Sequence, residues 1–328
     1  MIPPRSPLLA ALLASALVTI SLLGGALAQA PTSPQADLEP AVQSLLEQAQ
    51  SAMTAALERY DRHYPDRPLW RDAIRAARRA TESAPGALEP LRLLAEVYSR
   101  ANWPGPAWEV WNADLDTGAA LTAEDAALVA LVGHELGYAA YRRGDTDAAL
   151  ERYERVAALL PENREAQVWA GRILLEQGRP AEALRYWQRA AERDPSDRGA
   201  AHFLQLARLQ AEHGVPAGTA FMEGLARYEA GELAAASSRF AEAAQAAPGF
   251  DEAERWAGRT LLERGLPERA LPYWETLLAR HPDDAGVAYF LELSKDAARW
   301  GTKAANAFRE GVSAYESGEP AEAAARFQ

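Results

Sequence analysis

The chain of 328 residues contains no cysteine. That excludes disulfides, thiolate metal sites, cysteine nucleophiles and a lipid-anchored cysteine behind a cleavage site. Histidine is scarce: His63, His134, His202, His213 and His281 sit in unrelated places, and no metal-ligand spacing links them. His134-Glu135 opens like a zinc-protease motif, but Tyr138 stands where the second histidine ligand would be. There is no glycine-rich phosphate loop and no serine nucleophile elbow. The carboxylate pair Asp283-Asp284 follows Pro282, where a helix N-cap favours aspartate. No catalytic residue, metal ligand or cofactor is therefore expected, and the chain reads as a non-enzyme. Runs of lysine and arginine are missing too, as is a basic stripe interleaved with aromatics. At a formal net charge of −12, nucleic acid and anionic lipid are poor partners, because both demand basic patches. No stretch sustains a two-residue apolar alternation either, so no strands are expected.

The chain opens with a leader. In residues 1–28 the only charge is Arg5, an apolar run follows from Leu8 to Leu23, and Gly24-Gly25 breaks it before Ala26-Leu27-Ala28. That order is the pattern of a secretory signal peptide cut after Ala28. The alternative is a retained anchor, the one membrane contact the sequence allows. Residues 29–39 form a proline-bearing flexible linker. Export to the periplasm or cell envelope is the expectation.

The body of the chain is built from a long repeat. The stretch from Ala170 to Leu206 returns as Ala257 to Leu293, and Trp169/Trp256, Trp187/Trp274, Pro195/Pro282 and Phe203/Phe290 are all 87 residues apart. A shorter step of 34 residues is nested inside, from Pro161 to Pro195 and from Pro248 to Pro282. Fixed periods of this kind mark duplicated structural units. Apolar residues recur in steps of three and four between proline and glycine breaks, which is the pattern of helices. Helices are expected over Leu38 to Tyr64, Trp70 to Ser83, Glu89 to Arg100, Ala107 to Asp114 and Thr122 to Arg143, the last opened by a Thr122/Asp125 capping box. Helix pairs then alternate with an extra helix, over Arg198 to His213 and again over Asp284 to Trp300. The set restarts from Ala220 and from about Asn306.

Within each pair a small residue, a glycine turn, an alanine and an aromatic keep one spacing. Gly137, Gly144, Ala149 and Tyr153 are followed by Gly171, Gly178, Ala183 and Trp187, then by Gly224, Gly231, Ala236 and Phe240. Gly258, Gly265, Ala270 and Trp274 continue the series, and Gly311, Gly318, Ala323 and Phe327 open another copy. These pairs resemble tetratricopeptide repeats, firmly over 137–328 and more weakly over 57–114. The resemblance implies an all-α solenoid of antiparallel helix pairs, here with an extra helix in each 87-residue unit. Residues 40–133 are then a degenerate N-terminal unit, 134–220 and 221–307 are two pairs plus an extra helix each, and 308–328 begin a further repeat. The helix from Glu319 is expected to continue past Gln328. An odd helix in each unit reverses chain direction from one unit to the next, which puts a uniform superhelical groove in question.

The resemblance also implies that first helices line a groove and that the protein presents extended surface to a protein or peptide partner. Three stripes at i, i+4 and i+7 lie on such helices: His134, Tyr138, Tyr141; Phe221, Leu225, Tyr228; and Phe308, Val312, Tyr315. Arg172 and Arg259 occupy matching places in neighbouring repeats. The candidate partner-binding set is therefore His134, Tyr138, Tyr141, Arg172, Phe221, Tyr228, Arg259, Phe308 and Tyr315. Periodicity alone leaves open whether the stripes meet a partner or pack on the preceding extra helix. Trp169, Trp187, Trp256 and Trp274 recur beside small residues and read as core wedges, with exposure of Trp169 and Trp256 as the sign of a sugar-stacking role. The functional expectation is an extracytoplasmic scaffold for protein–protein interaction in a bacterial envelope. Its alternatives are the repeat domain of a larger envelope enzyme with its catalytic part beyond residue 328, or a cell-wall glycan-binding module.

Overall fold

A computed structural model describes residues 38–326, apart from 117 and 119. The expected leader and all but the end of the linker lie outside the described residues, as does Phe327. Among the described residues there are sixteen helices and no strand. Proline at the first turn opens α1 (Pro40–Arg59), α2 (Pro68–Ser83) and α4 (Pro104–Leu115), where its missing N–H costs nothing. Between the last two lies α3 (Leu88–Arg100). α1 stops at Arg59 rather than running to Tyr64, because Tyr60 turns extended at φ −113° and ψ 122°. Pro65 then bars Tyr64 from helical geometry. Trp70 and Trp111 are fully buried in this N-terminal unit, and the Arg92 Nε forks onto the buried Asp114 carboxylate at 3.2 and 3.3 Å. The unit has four helices, and residues 116–122 lead directly to the next.

The first full unit holds α5 (Ala123–Arg142), α6 (Thr146–Leu159), α7 (Arg164–Glu176), α8 (Pro180–Arg193) and the extra helix α9 (Arg198–His213). The second repeats it as α10 (Val215–Glu229), α11 (Leu233–Ala246), α12 (Asp251–Glu263), α13 (Pro267–Arg280) and α14 (Ala285–Trp300). α15 (Thr302–Glu316) and α16 (Pro320–Arg326) follow. Thr122 and Asp125 form the capping box reciprocally. Asp197 and Asp284 cap the two extra helices, and Asp284 accepts from the Val287 N–H at 3.0 Å. That bond, with Arg255 beside it, holds the Asp284 carboxyl below the usual range. Each of these two full units joins the next through one residue, Gly214 (φ 88°, ψ 155°) or Gly301 (φ 86°, ψ 148°). Only glycine reaches that region without strain, so the next helix starts at once, ahead of the expected Ala220 and Asn306.

The wedges explain the close packing of the pairs. A Cβ added at Gly137, Gly171, Gly224 or Gly258 would fall 2.6–2.9 Å from the ring of Tyr153, Trp187, Phe240 or Trp274. Those rings occupy the space a side chain on the facing helix would need. Each helix packs chiefly on the next in the chain. The buried core comes in three clusters, running from Val42 to Ala207, from Leu209 to Ala257 and from Leu261 to Leu291. The first break falls inside α9, so the extra helix contributes to the cores on both sides.

Candidate functional site

On α7, Trp169, Arg172 and Glu176 share one face because they stand at i, i+3 and i+7. Tyr141, from the end of α5, is brought against that face. Its hydroxyl donates to the Glu176 carboxylate at 2.9 and 3.0 Å, and the Arg172 Nε donates to the same carboxylate at 2.9 Å. The hydrogen bond to Glu176 raises the Tyr141 hydroxyl above its ordinary pKa. The Tyr141 and Trp169 rings meet edge to face at 5.1 Å, and the guanidinium lies 5.3 Å over Trp169 and 5.7 Å over Tyr141.

The same four residue types recur on α10 and α12. Tyr228 donates to Glu263 at 3.1 Å, Arg259 donates to Glu263 at 2.9 Å, and Tyr228 and Trp256 stand 4.9 Å apart. Arg259 lies 5.4 Å over Trp256 and 6.0 Å over Tyr228. Each Tyr–Trp–Arg–Glu cluster is a clasp between the first helices of adjacent pairs. Trp169 and Trp256 are half-buried, and each stacks on the wedge ring of its own unit: Tyr153 at 5.5 Å, Phe240 at 5.3 Å.

The candidate residues thus divide. Tyr141 with Arg172 and Tyr228 with Arg259 do come together, and each hydroxyl and each arginine Nε is already bonded inside its clasp. Phe221 is fully buried, between Phe240 at 5.5 Å and Phe250 at 4.9 Å, so it is core and not a partner contact. The reason is Phe250, which stands where the first unit has Asn163 and stacks under His213 of the extra helix at 3.7 Å. His134 and Tyr138 remain at the surface of the first unit. Tyr138 is 42% exposed, stacks with His134 at 5.9 Å and meets Trp169 edge-on at 5.6 Å. His134 Nδ1 lies 3.4 Å from the Tyr153 hydroxyl and 3.3 Å from Glu165. Phe308 and Tyr315 are 48% and 69% exposed on α15. The glutamates of the clasps escaped the sequence reading. Their signal was the pair Arg172/Glu176 at i, i+4, repeated 87 residues on as Arg259/Glu263.

The profile described as tetratricopeptide repeat matches residues 134–198 and 257–291. The match is to tetratricopeptide repeats. The first stretch spans the open end of the first unit and its clasp, and the second begins just after Trp256 and holds Arg259 and Glu263. No curated protein matches the chain. Among solved structures, a tetratricopeptide repeat protein from Parabacteroides merdae is 13% identical, with a TM-score of 0.34 over 78% of this chain and 100% of that one. YrrB, described as a TPR protein with an unusual peptide-binding site, is 21% identical, with a TM-score of 0.28 over 66% of this chain and 98% of that one. PilF of Pseudomonas aeruginosa is 17% identical, with a TM-score of 0.28 over 75% and 98%. Among the described residues no three histidine, aspartate or glutamate side chains are grouped to hold a metal ion. No described helix is long and apolar enough to cross a membrane.

Proposed function

We propose that the chain is an exported, non-catalytic scaffold of the bacterial envelope that binds a protein or peptide partner at the open end of the first unit, around Tyr138. One observation carries this reading. Tyr138 is the large exposed ring of the site, held in place by His134 and Trp169, while the other rings around it are engaged in clasps and wedges. A rigid, amphipathic aromatic side chain on a fixed platform is the kind of group that concentrates binding energy at interfaces. The protein reading is preferred to the glycan one because Trp169 and Trp256 are stacked on Tyr153 and Phe240 and have Arg172 and Arg259 over them. Little of their faces is left for a sugar ring.

A photoreactive phenylalanine analogue placed at Tyr138, and separately at exposed Arg189 on α8, tests it. Cross-linking within an intact envelope fraction should give one discrete protein adduct from position 138 and none from position 189. Equal labelling from both positions, or adducts formed only in the cytoplasmic fraction, would overturn the proposal.

A further inference from the structure

A second surface lies outside the clasps, on the N-terminal unit. A groove of about 590 Å³ runs along α2 and is lined by Arg71, Arg75, Arg78 and Arg79 over a floor of Ile74 and Trp103. Four arginines line this groove although the whole chain carries a net charge of −12. Arg78 is fixed in place: it donates to the Tyr98 hydroxyl and lies 5.4 Å over the Tyr98 ring and 5.8 Å over Trp103. Arg75 shares a loose ion pair with Asp72 at 3.5 Å, both side chains being largely exposed. Arg71 and Arg79 take no ion pair among the described residues. Trp103 is 37% exposed, an apolar surface at the edge of a cationic row.

Spacing specifies the ligand. The helical rise sets Arg71, Arg75 and Arg79 about 6 Å apart along one face of α2. An extended peptide places alternate side chains about 6.6 Å apart on one edge. We propose that this groove binds an extended acidic peptide segment with carboxylates at alternate positions and an apolar side chain against Trp103. Guanidinium groups pair with carboxylates through two parallel hydrogen bonds, which makes the row selective for register as well as charge. Asp66 and Glu82 line the two ends of the groove and limit the run to about three carboxylates on the helical rise. A uniform polyanion such as a nucleic acid would have to cross both of them.

Fluorescence anisotropy on the full chain decides the matter, with three probes at one low salt concentration. The first is a labelled peptide with three glutamates alternating with serines, followed by proline and leucine. The second has the same composition with its glutamates contiguous, and the third is an oligothymidylate of similar length. The alternating peptide should bind about five-fold tighter than its contiguous isomer, a register effect of hot-spot kind. Arg71→Glu with Arg79→Glu should weaken it about ten-fold or more, since a close charge pair is reversed twice. Arg189→Glu with Arg198→Glu changes net charge equally on other helices and should leave affinity within about two-fold. If the charge reversals melt α2 by circular dichroism, Arg71→Gln with Arg79→Gln replaces them. No binding of either peptide, equal binding of the two isomers, or tighter binding of the oligothymidylate would overturn the proposal.

Discussion

Position by position, His134, Tyr138, Tyr153 and Asn163 of the first unit correspond to Phe221, Leu225, Phe240 and Phe250 of the second, each pair 87 residues apart. Asn163 caps α7 by accepting from the Ala166 N–H at 2.8 Å. Phe250 makes no cap and is instead buried to 2% exposure against Phe221 and His213. A cap is worth about 1 kcal/mol, and burying a phenyl ring about 1.5–3 kcal/mol. One exchange at the head of α12 therefore favours an apolar seam in place of a polar one. Below that point the copies agree, since both keep the clasp and both keep a tryptophan wedge. The same backbone thus carries an open, wettable end in one copy and a sealed end in the other.

The largest expected effect tests what the copies share. Trp187 and Trp274 are 2% and 1% exposed and fill the space over Gly171 and Gly258. Alanine at either should cost about 3–5 kcal/mol, as for large buried aromatics. Denaturant melts of the two variants should shift alike. Phenylalanine should be far milder, because each indole N–H is buried without a hydrogen-bond partner among the described residues. A shift from only one of the two alanine variants would break the equivalence of the units.

The second effect tests where they part. Phe221→Ala should lose about 3–5 kcal/mol by leaving a cavity among Phe240 and Phe250. His134→Ala, at the matching half-exposed position, should lose under about 1 kcal/mol, as surface substitutions do. Equal losses, read from the same denaturant melts, would mean that the first unit is sealed as well.

Much of this was legible in the sequence, and the limits are physical. The 87-residue period, the glycine–aromatic wedges and the extra helices at 198–213 and 285–300 could be read because each rests on local spacing. The burial of Phe221 could not. It depends on Phe250, 29 residues away, and on His213 across a one-residue joint. At Phe221 the stripe packs toward the following helix and the wedge ring, while Phe308 meets Trp300 of the preceding extra helix at 6.1 Å, so both arrangements the periodicity allowed occur. The arginine row on α2 is hidden in the sequence because Asp72 and the apolar residues Ala73, Ile74, Ala76 and Ala77 interrupt it. Helical geometry removes Asp72 from the row and gathers Arg71, Arg75 and Arg79.

A pH effect of intermediate size separates the copies again. Burial pushes the Tyr153 hydroxyl far up, and burial with the Glu154 hydrogen bond takes Tyr186 to about 12. In the second unit Phe240 replaces the first of these, while Tyr273, raised by burial, matches the other. A raised folded-state value favours the neutral phenol. The stabilisation is complete below the unfolded value of about 10 and declines as pH rises past it. Alkaline unfolding, followed by tyrosinate absorbance, should therefore begin above about pH 10. Tyr153→Phe should move its midpoint upward. A midpoint unmoved by that substitution would show that the first unit is not the alkaline-sensitive one.

The smallest effect is the clasp itself. Glu176 and Glu263 are 39% and 32% exposed, so water competes for both carboxylates and each ion pair is worth little alone. Glu176→Gln and Glu263→Gln should each cost about 0.5–1 kcal/mol, the net value of a solvent-accessible hydrogen bond. The ring contacts and the guanidinium above the tryptophan survive the change, which keeps the loss small. A double-mutant cycle isolates the clasp from its surroundings, pairing Tyr141→Phe with Glu176→Gln and Tyr228→Phe with Glu263→Gln. Residues sharing one hydrogen bond should show a coupling of about 0.5 kcal/mol or more, and the two cycles should agree. Coupling in one unit alone would mean that the four-residue match conceals a difference in strength. Coupling in neither would leave Tyr141 and Tyr228 held by ring packing, with their hydroxyls free to be offered to a partner.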